Sequence, residues 1–136
     1  MLTPPYLLDT NAVSDLMRDH PRVKARAANY SDPVVTSVIV VGEIRYGLDR
    51  LPAGKKRKDL EARAANILAV LPAEPITSQV AEAYGHLKAS LEAQGLNPED
   101  NDLWIATAAL LRGDVVVSRD QFFSQVPGLQ VDDWTV

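Results

Sequence analysis

Apolar positions along the chain fall into short bare runs separated by stretches with helical spacing. Tyr6-Leu7-Leu8 reads as a short strand, closed by Asp9-Thr10-Asn11. Ala12 to Met17 predicts a short helix, and Pro21 to Asn29 a second one, with proline suited to a first helical turn. Val34-Val35-Thr36 predicts a strand; Ser37 then caps a helix carrying Val38, Val41, Ile44 and Leu48. Lys55 to Val70 reads as a helix with Leu60, Ala64, Ile67, Leu68 and Leu71 near one face. Two prolines limit Leu71 to Ile76 to a short strand. Ser78 is expected to cap the next helix, whose stripe is Val80, Ala83, Tyr84, Leu87 and Leu91 and which ends near Gly95. Asp102 to Leu111 is expected as a helix beginning at Asp102 and closed by Gly113. Val115-Val116-Val117 is a bare β-branched run, the mark of a strand buried on both faces. A short helix at Gln121 to Phe123 and an edge strand at Leu129 to Val131 complete the pattern.

Strands alternating with helices predict an α/β sandwich with a mostly parallel central sheet. In such a sheet ligands bind beyond the carboxyl ends of the strands. Asp9 directly follows the first strand and Asp120 follows the Val115 strand by three residues, so both are expected at one sheet edge.

Composition changes the picture by exclusion. The 136 residues suit one ordinary domain, 1–136, able to bury a core without disulfides. No cysteine is present, which excludes thiol catalysis and thiolate metal sites. His20 and His86 lack ligand-like spacing. No apolar run approaches the roughly 20 residues that span a bilayer. Met1 to Leu8 carries no basic leader, so a cytoplasmic location is expected. A net charge of −4 argues against a simple electrostatic nucleic-acid binder, yet permits a nuclease with acid in its site and cations on the rim.

Four acids stand among apolar or small neighbours: Asp9, Glu43, Asp102 and Asp120. Singly, each has an ordinary reading. Asp9 and Asp120 can cap helices, Glu43 can pair with Arg45 or Arg50, and Asp102 can complement a helix dipole. Gathered in one cleft they would repel each other, and a hard divalent cation, Mg²⁺ or Mn²⁺, would relieve the repulsion.

The order and setting of these acids resemble the PIN-domain family, and within it the VapC toxins of toxin–antitoxin pairs. Tyr6-Leu7-Leu8-Asp9-Thr10-Asn11 resembles the first family motif, and Ser37 through Glu43 to Leu48 the second. Asp102-Leu103-Trp104-Ile105-Ala106-Thr107 resembles the third. Val116-Val117-Ser118-Arg119-Asp120-Gln121-Phe122-Phe123 resembles the fourth, with Val126-Pro127-Gly128-Leu129 behind it. Serine stands at 118 where threonine is common, and Asp100 lies close enough to Asp102 to compete for the third acid's place.

This resemblance implies a three-layer α/β/α sandwich and a Mg²⁺- or Mn²⁺-dependent endoribonuclease acting as a toxin. It makes Asp9, Glu43, Asp102 and Asp120 the metal-binding and catalytic acids, with Thr10, Asn11 and Ser118 supporting them. It implies an RNA substrate, a VapB-like antitoxin whose tail reaches the cleft, and a homodimer paired through helices, with Ser78–Gln94 and Leu103-Trp104 as candidate faces. Arg18, Arg22, Lys24 and Arg26 form a candidate RNA-binding rim, and Lys55-Lys56-Arg57-Lys58 a second, weaker one. A haloacid-dehalogenase-like phosphatase fails at Asn11, where a second aspartate is needed, and a dinucleotide-binding domain fails for want of a glycine-rich loop. A catalytically dead PIN domain serving as an RNA-binding scaffold is the remaining alternative, against which the presence of all four acids weighs. A structure-specific DNA nuclease would carry added loops that this chain lacks.

Overall fold

The structure, a computed structural model, describes residues 4–29 and 33–136. Strands β1 (Tyr6–Leu8), β2 (Val34–Ser37), β3 (Ala73–Glu74), β4 (Val115–Val117) and β5 (Gln130–Asp132) form one five-stranded sheet in the order β3-β2-β1-β4-β5. Every pairing is parallel, with Tyr6 opposite Val34 on one side and Val115 on the other. The helices are α1 (Thr10–Met17), α2 (Pro21–Ala28), α3 (Val38–Asp49), α4 (Lys55–Val70), α5 (Ser78–Ala93) and α6 (Asp100–Arg112). A 3₁₀ turn at Gln121–Gln125 follows β4.

Successive strand residues point to opposite faces. Leu7 and Leu8 are both 0% exposed, as is Val116, and Val117 is buried beside it, so helices cover the sheet on both sides. This is the three-layer arrangement expected of an all-parallel sheet. Helices α1, α2, α3 and α4 pack on one another, α5 packs on α6, and α3 also meets α6. Trp134, buried beside β5, packs at an angle to Tyr6 of β1 with ring centres 5.5 Å apart.

Boundaries shift where capping chemistry overrides the apolar pattern. The helix expected from Ala12 starts at Thr10, because Asp9 is already the cap. Ser78 does not cap α5: Thr77 does, its hydroxyl accepting from the Val80 amide at 3.2 Å. Asp102 does not begin α6 either. The helix opens at Asp100, placing Asp102 in its first turn beside Asp100, with Gly113 in the left-handed conformation at its far end. The last strand is Gln130–Asp132, one residue later than the apolar run suggested. His20 caps α2 through Nδ1, and His86 lies exposed on α5.

Candidate active site

Parallel strands bring their carboxyl ends to one edge, and β1 and β4 are adjacent at its centre. Asp9 leaves β1 there. Its amide donates to the Val117 carbonyl at 3.2 Å, fixing the end of β1 to the end of β4. Its Oδ1 accepts from the Ala12 amide at 2.8 Å, so the same residue caps α1. The residue is only 3% exposed. Burial pushes its pKa from 3.8 up to about 6, against the downward pull of the Ser118 hydroxyl and the Ala12 amide; the charge on Asp120 adds to the rise.

Ser118 extends β4 and is buried. Its Oγ accepts from the Asp120 amide at 2.9 Å while its side chain also bonds Asp9, so one hydroxyl ties two of the acids. Asp120 caps the 3₁₀ turn, its Oδ1 accepting from the Phe122 amide at 3.0 Å. Ser37 opens α3 at the end of β2, and Glu43 projects from the second turn of that helix. Thr10 Oγ1 donates to Glu43 Oε1 at 2.6 Å, so the residue after Asp9 holds the acid of α3. Asn11 lies half-buried in the first turn of α1.

Asp102 completes the group. Its pKa is pushed from 3.8 to about 6, first by burial and then by the charges of Asp120, Glu43, Asp9 and Glu99. The three other sequence-designated acids therefore all act on this one carboxylate. Asp100 stands apart from them. It is exposed, and its Oδ1 accepts from Tyr84 Oη at 2.8 Å and Lys88 Nζ at 3.2 Å on α5, which lowers its pKa. The Tyr84 ring is stacked on Trp104, centres 3.7 Å apart. Asp100 thus fastens α5 to α6, and the competition with Asp102 resolves in favour of Asp102.

The donor set fits a hard divalent cation in kind: oxygen ligands, two of them with pKa values pushed up to about 6 by burial and mutual repulsion, a rise that a cation would reverse. The fit is to a hydrated ion. Among the described residues no three acids are gathered as tightly as a closed metal cage requires, and Mg²⁺ commonly keeps several waters between itself and its carboxylates.

The basic rim is uneven. Arg18 donates to Ser14 Oγ at 2.6 Å and shares with Glu43 and Thr10 a cleft of about 140 Å³. Arg22 is exposed on α2, and Lys24 pairs loosely with Asp19 at 3.4 Å. Arg26 pairs with Asp132 at 2.9 Å, at the carboxyl end of β5, and lies over Trp134. In the second run, Lys55 and Lys56 line an open groove of about 620 Å³ with Arg18 and Arg63, whereas Arg57 folds back onto Asp49 and Glu61.

Sequence reasoning missed two residues here. Arg119, between Ser118 and Asp120, pairs with Asp15 on α1. Its place inside the fourth motif was a usable signal; Asp15, 104 positions away, gave none.

Comparison with known proteins agrees with this geometry. The PIN domain family model matches residues 6–129, and the chain belongs to the PIN-domain family. Its relatives there include the plasmid stability protein StbB of Pseudomonas syringae pv. tomato, 32% identical over 92% of this chain and 94% of that protein. Ribonuclease VapC1 of Haemophilus influenzae is 30% identical over 96% of this chain and 98% of its own length. Among solved structures, VapBC2 from Rickettsia felis, bound to a DNA fragment from their promoter, superposes with a TM-score of 0.86 at 26% identity, covering 96% of this chain and 98% of that one.

Proposed function

We propose that the chain is a metal-dependent endoribonuclease acting as the toxin of a toxin–antitoxin pair. The observation that carries this reading is the electrostatic convergence on Asp102 of Asp9, Glu43 and Asp120, so that four separate segments each supply one acid. The kinship with VapC ribonucleases supplies RNA as the substrate class.

Asp9, Glu43, Asp102 and Asp120 would hold Mg²⁺ or Mn²⁺, directly or through water. When bound, the ion supplies an activated water and charge neutralisation at the phosphoryl oxygens. The protein's part is positional. Ser118 and the Ala12 amide fix Asp9, Thr10 fixes Glu43, and the 3₁₀ turn fixes Asp120, so the carboxylates face the strand without rearrangement. Arg18 is the member of the first basic rim nearest the acids and orients the backbone as it enters; Arg22, Lys24 and Arg26 extend that rim along α2.

The test is cleavage of cellular RNA by Asp102→Asn. The amide keeps the volume and binds Mg²⁺ poorly, so activity falls at least a hundredfold while circular dichroism stays native and the melting temperature does not fall. Full activity in the purified variant would overturn the reading.

The partner is a VapB-like antitoxin, as VapBC2 of Rickettsia felis suggests by kinship. An arginine on its tail would enter the negative well of the four acids. No helix among the described residues is long and apolar enough to cross a membrane, and the reading puts the action in the cytoplasm, where RNA is. Self-pairing belongs to the same proposal, with a changed surface. Leu91 and Leu103 are both 0% exposed inside this protomer, so the expected faces are mostly spent on its own core. A pair would use Val38 and Tyr46 on α3, which are 40% and 64% exposed, and sedimentation equilibrium of Tyr46→Asp against the native chain reads it out.

A further inference from the structure

The acidic cleft needs a positive group for the phosphate it is to cut, and most basic side chains near it are committed elsewhere. Arg63 pairs with Asp19 and reaches the Met17 carbonyl. Arg45 and Arg57 are bound up with Asp49 and Glu61. Arg26 lies against Asp132 and Trp134. Arg119 differs in position and in what its guanidinium leaves open. It sits between the residue that bonds Asp9 and the residue that is itself the fourth acid, at the carboxyl end of β4.

Its tether is rigid on one side only. Nη1 donates to Asp15 Oδ2, and Asp15 is a well-buried anchor with its side chain 13% exposed on α1. Among the described residues this is the one hydrogen bond the guanidinium makes, and none of them accepts from Nε or Nη2. The Arg119 side chain remains 45% exposed. The charge also reaches into the site, since Arg119 pulls the Asp9 carboxylate towards ionisation and is itself held charged first by Asp15 and then by Asp9 and Asp133. A partly exposed guanidinium fixed at one corner, with donors that no described residue accepts and its charge acting on Asp9, is built to take a planar or tetrahedral oxyanion.

We propose that Arg119, positioned by Asp15, binds a non-bridging phosphate oxygen of the RNA strand that lies across the four carboxylates. The inference rests on the ribonuclease reading and adds a residue that contacts substrate. Arg119 offsets the repulsion between the acidic cleft and the RNA backbone, and Asp15 acts through it as a positioning residue.

The experiment is fluorescence anisotropy of a 5′-fluorescein, mixed-sequence, single-stranded RNA 20-mer in EDTA, over a series of KCl concentrations. Each phosphate contact to a single strand contributes about 0.7 to the slope of log affinity against log salt. Arg119→Ala is expected to weaken binding about tenfold and to flatten that slope by about 0.7. Arg119→Lys keeps the charge, so the slope stays while part of the affinity goes. Asp15→Asn also keeps the slope and loses about threefold in affinity, because the guanidinium is present but untethered. Melting temperatures of all three variants are recorded alongside. An Arg119→Ala chain with native affinity and slope overturns the proposal, and so does one that loses only melting temperature, which would make the ion pair purely structural. A native chain that neither binds this RNA nor cleaves cellular RNA with Mg²⁺ refutes the ribonuclease reading itself, a result distinct from either.

Discussion

Replacing Asp9 by asparagine should make the protein more stable as it makes it inactive. The carboxylate is 3% exposed, and burial lifts its pKa from an ordinary 3.8 to about 6. A folded pKa raised in this way means that ionisation opposes folding. The penalty is absent below pH 3.8, grows between pH 3.8 and 6 and is complete above pH 6. Its full size is about 3 kcal/mol, from the conversion of a pKa difference into free energy. Asparagine keeps Oδ1 for the Ala12 amide and turns an NH₂ towards the Ser118 oxygen, so little is lost in exchange. At pH 7.5 in EDTA, Asp9→Asn should therefore gain up to about 3 kcal/mol, roughly 10 °C in melting temperature for a chain of this size. At pH 4.5 the gain should shrink to about 1 kcal/mol, since the native carboxyl is then mostly protonated in the folded state. The assay is urea unfolding at both pH values, followed by the fluorescence of the buried Trp134. A variant no more stable than the native chain at pH 7.5, or equally stabilised at both pH values, would refute the account of Asp9 as a buried carboxylate held against its own ionisation.

Three further outcomes follow from the same site. Added Mg²⁺ or Mn²⁺ should raise the melting temperature of the native chain by mass action on the folded form, and an Asp9→Asn/Asp102→Asn double variant should show no such rise; equal shifts in both would place the ions elsewhere. Thr10→Val removes the hydroxyl that holds Glu43 at 2.6 Å, so RNA cleavage should drop about ten- to a hundredfold through weaker metal binding, with most of the loss recovered at high Mg²⁺. Co-purified with the product of its neighbouring gene, the chain should be inhibited, and trimming that partner's tail should release cleavage; inhibition that survives trimming would contradict occupation of the cleft by the tail.

The elements were legible where one residue type does one job. Val115-Val116-Val117 admits little but a strand buried on both faces, and its burial as a whole follows. Asp9 and Asp120 could be assigned to one edge because parallel strands share a direction, and the β1–β4 pairing realises that rule. The sheet order was not legible, since nothing local to β2 or β3 states which neighbour it will take. Thr77 and Ser78 can both cap a helix, serine by general preference the better of the two, and only the backbone chose Thr77. Asp100 and Asp102 lie in the same helical turn, so their different fates depend on Tyr84 and Lys88 waiting on α5. The Arg119–Asp15 pair, like the Thr10–Glu43 bond, joins distant stretches, and neither has a periodicity that would betray it.

The pairing of β1 with β4 has a consequence in time. Tyr6 lies beside Val115, and Asp9 is bonded to the carbonyl of Val117, so the first acid of the chain is finished by a strand made more than a hundred residues later. Contacts of such long sequence separation form late, after their loop-closure entropy has been overcome. A ribosome making this chain therefore carries, through most of each round of synthesis, a nascent polypeptide whose acids have no site to form. The edge that carries the acids closes only when β4 and Asp120 have emerged, which builds a delay into every newly started chain.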